Sequence, residues 1–236
     1  MNLLELRTKL IEMSGRYDLI TDTESYQDKG ANFLIAAGQR WLDRTFEILK
    51  SSANFYATLE IGSTYLLVPE CRVIVHVWAT YQNGAIDKLK ALSLERMRHC
   101  FAPYTATAGC PHFYAPCAIR TQPETPGQLT VPPSTLVLED NFPYNAIVFS
   151  VPFQEQVSLE VNGYFYHAQL VNDTDTNFWS TEHPFVLVLA ALRSMEIAQR
   201  NREGVADWET AIRSEMLGLE YDFVDQVSRP IRQMEG

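Results

Sequence analysis

The sequence predicts an α+β protein: a discontinuous helical bundle formed by both chain ends, with an inserted antiparallel β domain. Three observations predict it. Apolar residues recur at helical spacing near the N-terminus, as in Leu3, Leu6, Leu10 and Met13. The middle of the chain alternates instead, as in Val157, Leu159 and Val161 set between Ser158 and Glu160. The helical period then returns in NFWSTEHPFVLVLAALRSMEIAQR, from Asn177 to Arg200. The expected division is 1–53 for the first part of the helical domain, 54–168 for the β domain, and 169–236 for the second helical part with a C-terminal tail.

The stretch from Asn177 is the expected centre of the bundle. Ser180 or Thr181 can cap its first turn, Glu182 suits the positive end of the helix dipole, and Pro184 fits only near a helix start. Every residue from Phe185 to Leu192 is apolar, and a helix that is hydrophobic all round is buried all round. The run is far shorter than the ~20 apolar residues needed to cross a bilayer.

The remaining elements follow in order. Asn2 and Glu5 form a capping-box pattern, and Gly15 closes the first helix. A second helix starts near Asp28 or Gly30. It carries Ile35, Gly38, Leu42, Thr45 or Phe46, and Leu49 on one stripe, is flanked by Trp41, and ends at Ser51 and Ser52. Thr58 to Val68 predicts a hairpin turning at Gly62-Ser63. Arg72 to Trp78 is a β-branched strand followed by a strong turn at Asn83-Gly84. Ser93 to Cys100 predicts a short helix, and Ala102 to Pro133 a proline-rich connection with one strand near Phe113 to Arg120. Ile147 to Val151 is a further strand. Val157 to Val161 continues through Asn162-Gly163 into Tyr164, Phe165 and Tyr166, with Gly163 a bulge or a turn. Asn201 to Gly204 is a turn with Gly204 as its left-handed residue. The last helix presents Trp208, Ile212, Met216, Leu219 and Phe223 on one face and acids on the other, before a loose tail from Ser228.

Composition narrows the function. The chain has 236 residues, 46% hydrophobic and 20% charged, an ordinary globular balance. The formal net charge of −10 argues against reading DNA, which takes basic surfaces, but suits a wall past which DNA slides. Little affinity for free duplex is expected. The N-terminus lacks a signal-peptide core, no membrane partner is expected, and four widely spaced cysteines read as reduced cytosolic thiols.

The residues with chemical potential have bland readings that outweigh the sharp ones. Cys100, Cys110, His112 and Cys117, with His99, lack the close Cys or His pairs of a structural zinc site, and Cys71 stands alone. Asp173, Asp175 and Asn177 match the opening of a calcium loop, but Phe178 and Pro184 stand where it needs Gly and Glu. A turn that caps the next helix is the preferred reading. His183 beside Glu182 has no nucleophile at a telling spacing. The histidines His76, His99, His112 and His167 have no partner at a telling spacing either. No phosphate-binding glycine loop and no hydrolase motif is present. No catalytic residue, cofactor or metal is expected. Trp41, Trp179 and Trp208 read as core first and interface anchors second. Tyr164, Phe165 and Tyr166 cannot all face one side of a strand, which favours a subunit or partner contact.

The wording of the second junction is specific. LEVNGYFY is followed by DTDTNFW, then by HPFVLVLAALRSMEIAQRN, then by an acidic helix from Val205 or Ala206. At the N-terminus stand LRTKLIEMSGRYDLI and DKGANFLIAAGQRWLDR. These stretches resemble the phage head-to-tail adaptor (connector) family, the group that includes tail tubular protein A. The likeness covers Met1 to about Ser51 and Val157 to about Val227, and its motifs concern packing. The resemblance implies a homo-oligomeric ring, a dodecamer, beneath the portal protein at the head–tail junction of the virion, assembled in the host cytoplasm. It implies a platform for tail or nozzle proteins and a channel through which genomic DNA passes during ejection; the net charge of −10 adds the expectation that acids line that channel. It places portal contact at Phe223, Val224, Val227, Arg229, Ile231, Arg232 and Met234. Other readings are a tail-completion or stopper protein and, from another class, a small hydrolase with a dispersed site.

Overall fold

The structure is a computed structural model that describes residues 1–46, 52–101, 107–119 and 144–217. The chain divides into two compact units, one from the described parts of Met1–Ser51 and Tyr166–Gly236, the other Ser52–Phe165.

The helical unit begins with α1, Leu3–Ser14. Asn2 accepts from the Glu5 amide, Glu5 reaches back to the Asn2 amide, and Gly15 ends the helix at φ 67°. Leu3, Leu6, Leu10 and Ile11 are buried, whereas Met13, expected on this face, is exposed. The next helix, α2, is Ala31–Thr45, with Phe46 extended after it; the expected stretch from Leu49 to Ser51 lies outside the described residues. Asp28 supports its entry by accepting from the Gly30 and Asn32 amides.

The expected central helix is two helices. α4, Phe178–Glu182, is capped by Asn177 rather than by Ser180 or Thr181; the Asn177 side chain accepts from the Ser180 amide while Ser180 Oγ accepts from the Asn177 amide. The helical path breaks at His183, and α5, Pro184–Ala198, restarts with proline in its first turn. Val186 through Leu192 are buried on all sides, but Phe185 is 50% exposed. The last helix, α6, is Arg202–Met216, capped by Asn201. The left-handed residue at its entry is Arg200, φ 60°, and not Gly204, which lies inside the first turn.

A single apolar cluster holds Leu6, Ile35, Leu42, Leu189, Leu192 and Ile212 together. α5 is its hub: α1, α2, α4 and α6 all pack on it. At the α2–α5 crossing a Cβ on Gly38 would stand 2.7 Å from the backbone of Ala190 and Ala191, so the close approach requires glycine.

The second unit is a seven-stranded sheet in the order β1-β7-β3-β4-β5-β6-β2. Its strands are β1 Ser52–Leu59, β2 Tyr65–Leu67, β3 Cys71–Thr80, β4 Ile86–Ala91, β5 Phe113–Ile119, β6 Tyr144–Phe149 and β7 Val157–Phe165, with helix α3, Leu94–Phe101, between β4 and β5. The hairpin expected at Gly62-Ser63 does not form. β1 pairs with β7 and β2 with β6, which puts the two strands at opposite edges. The turn at Asn83-Gly84 does join β3 to β4, with Gly84 at φ 81°.

These observations correct the expected fold class. The protein is a mixed α/β fold dominated by its sheet, not an α+β terminal bundle with an antiparallel insert. β4 and β5 run parallel, joined by a crossover that contains α3. The helices do not close a bundle: α6 makes its main contact with α5 rather than with α1 or α2, and α3 packs on β5 within the sheet unit. Apolar periodicity reports which face of an element is covered, not by which partner.

Gly163 is neither a turn nor a bulge residue but the interior of β7, paired with Ala53 on one side and Ile74 on the other. The irregularity lies on β3, whose register shifts between Cys71 and Val73 and again between Ile74 and His76. It brings the Val73 carbonyl oxygen to 2.3 Å from where a Cβ on Gly163 would sit. Gly163→Ala is expected to lose about 1–3 kcal/mol in denaturant melts, the usual cost of forcing an atom into packed structure. An unchanged midpoint would contradict that close approach.

Candidate functional site

Buried polar residues converge at one place in the helical unit. α2 turns Gln39 and Asp43 inward, one helical turn apart and both buried. The Asp43 carboxylate accepts from Trp179 Nε1 at 2.7 Å, lies 2.7 Å from His167 Nδ1, and accepts from the His167 amide at 3.2 Å. Trp179 is fully buried, and Phe178 stacks on the His167 ring with centroids 4.9 Å apart. Gln39 donates to the carbonyls of His167 and Ala168, and Asn177 donates to Gln39 and to the Ala168 carbonyl. The segment after β7 and the start of α4 are thereby tied to α2.

An Asp–His pair of this kind orients the base in hydrolases, where the other imidazole nitrogen faces a nucleophile. Among the described residues no hydroxyl or thiol bonds that second nitrogen of His167. The nearby hydroxyl of Ser180 is engaged with Asn177. The arrangement is a clamp that satisfies buried donors.

A second tie joins the chain ends. Arg7, only 2% exposed, donates to the Tyr26 carbonyl at 2.7 Å and to Asn32 at 2.9 Å, and forms an ion pair with Asp173. The Asp173–Asn177 loop thus serves folding. Asp173 neutralises Arg7, Asn177 caps α4, and Asp175 closes a turn by accepting from the amides of Val171 and Asn172. The hydrogen bonds from the Asn172 and Val171 amides hold the Asp175 carboxyl below its usual range.

The other sequence candidates lie apart. Cys100 is exposed on α3, Cys110 accepts from Gln154, and burial pushes the Cys71 thiol up to about 11 and the Cys117 thiol upward as well. Protonated thiols are poor ligands and nucleophiles. Among the described residues no group of three or more His, Cys, Asp or Glu is placed to hold a metal ion. His183 packs by its ring edge against Phe178 and Trp179. Trp41 and Trp208 pack against the helical core, and Arg193 lies 4.0 Å over the Trp41 ring while pairing with Glu209 of α6. Tyr166 lies under the Arg40 guanidinium at 3.7 Å. The residues expected at the portal, Phe223, Val224, Val227, Arg229, Ile231, Arg232 and Met234, lie outside the described residues.

Sequence reading missed the Asp43–His167–Trp179 clamp because its members are 124 and 136 residues apart. One signal was available: Gln39 and Asp43 continue the helical spacing of Ile35 and Leu42, as Arg7 continues that of Leu3. Polar residues on an apolar stripe mark buried ties.

No protein-family model matches the chain, and no curated protein matches it at a significant level.

Proposed function

We propose that the protein is a structural, non-enzymatic component of a phage particle. It is a head–tail adaptor that forms a homo-oligomeric ring beneath the portal, extends the DNA channel and offers tail or nozzle proteins a platform. The observation that carries this reading is the junction from Val157 to about Val227, whose strand, polar loop, proline-started apolar helix and acidic helix resemble that family. Within this run Asp173 pairs with Arg7, Asn177 caps α4 and Pro184 opens α5.

Of the expected portal contacts, Arg229, Ile231, Arg232 and Met234 at the C-terminal end meet the portal, which leaves Phe223, Val224 and Val227 to contacts between copies. Ile231 and Met234, set among polar residues after Pro230, suit a short segment that anchors in a groove. Deleting Ser228 to Gly236 is expected to leave thermal unfolding nearly unchanged and to weaken or abolish ring formation on purified portals. A truncated chain that assembles on portals as well as the full chain would place the docking surface elsewhere.

A further inference from the structure

Where α5 turns into α6, an open hollow of about 420 Å³ is lined by Ile197, Arg200, Asn201, Arg202 and Val205. Ile197 is 49% exposed, and both arginines are exposed. The backbone passes through Arg200 at φ 60°, a conformation that glycine would adopt at lower cost, yet the position carries an arginine. Among the described residues neither guanidinium has an acidic partner, and the neighbouring Glu196 is engaged by Asn201 at 2.9 Å. A chain of net charge −10 thus keeps two unneutralised guanidiniums around an apolar floor.

The complementary chemistry is in the same chain. From Leu217 to Val227 the sequence reads LGLEYDFVDQV, with Glu220, Asp222 and Asp225, several apolar residues and no Lys or Arg. This segment begins at the far end of the 15-residue α6, roughly 22 Å along the helix from the hollow of its own copy. A hollow at one end of a helix and its complement at the other make a heterologous, head-to-tail contact, the kind that closes rings.

We infer, on the ring reading proposed above, that the Arg200/Arg202 hollow of one copy receives the acidic, apolar segment Leu217–Val227 of a second copy. Arginine forks bind the carboxylates of Glu220, Asp222 or Asp225, and the floor of Ile197 and Val205 takes apolar side chains between them.

The test uses full-length chains and follows self-association by sedimentation across the micromolar range. The wild-type chain should associate, and added salt should weaken association because exposed charges are screened. R200E/R202E should raise the association midpoint at least about tenfold, and so should E220R/D222R/D225R. Circular dichroism and melting of R200E/R202E should match wild type, since the substituted arginines are exposed. Mixing the two variants in equal amounts should restore association, because every contact between unlike copies then pairs opposite charges. Three results would overturn the inference: a wild-type chain that stays monomeric, reversals without effect, or a mixture that stays dissociated. A dissociated mixture together with rescue when both reversals sit in one chain would assign the segment to the hollow of its own copy. A monomeric wild type that still caps portals would leave the adaptor reading standing and remove only this contact.

Discussion

Replacing Asp43 with alanine is expected to destabilise the helical unit by about 2–5 kcal/mol, because it takes the acceptor from several buried donors at once. Asp43 is 2% exposed, and the groups on its carboxylate include Trp179 Nε1, His167 Nδ1 and the His167 amide. Alanine removes the acceptor of the indole and of the amide, and each such loss costs about 1–3 kcal/mol. Asp43→Asn keeps one acceptor oxygen for Trp179 and should cost less. Native stabilities are only about 5–15 kcal/mol, so the alanine variant should melt far earlier or fail to fold at physiological temperature. Chemical denaturation monitored by Trp fluorescence would measure it. A loss under about 0.5 kcal/mol would mean that the clamp is not buried in solution.

Truncating Leu189 on the hub helix is expected to cost about 2–5 kcal/mol. Leu189 is 3% exposed and belongs to the apolar cluster shared by α1, α2, α5 and α6. Alanine would leave a void that the neighbours fill only in part, because α2 and α5 are already held at backbone contact around Gly38 and cannot slide closer. A change within about 0.5 kcal/mol in denaturant melts would place Leu189 at the surface and remove α5 from the centre.

Much of the local structure was legible because single residues impose it. Asn2 and Glu5 start α1, Gly15 stops it, Pro184 opens α5, and Asn83-Gly84 turns β3 into β4. The errors arose where partners far apart in the chain decide the outcome. Tyr65–Leu67 looked like the return strand of a hairpin but pairs with β6, and the sheet acquires a parallel pair through α3. The fold class was misread for that reason. Local competition produced the other errors. Asn177, as good a cap as Ser180 and already held by Gln39, took the helix start and left His183 to break the path into α5. Phe185 reads as core by composition but is half exposed. At the candidate site the absence of close motifs was readable, whereas the Asp43–His167 contact required the fold. The two stripes that carry Arg7, Gln39 and Asp43 held the only early sign of it.

The central claim is that this chain forms a ring on a portal. Electron microscopy of the full-length protein mixed with its portal tests it most directly. The account predicts ring-shaped caps on one face of the portal, with a central channel coaxial with the portal's own. A chain that remains monomeric beside bare portals would contradict it.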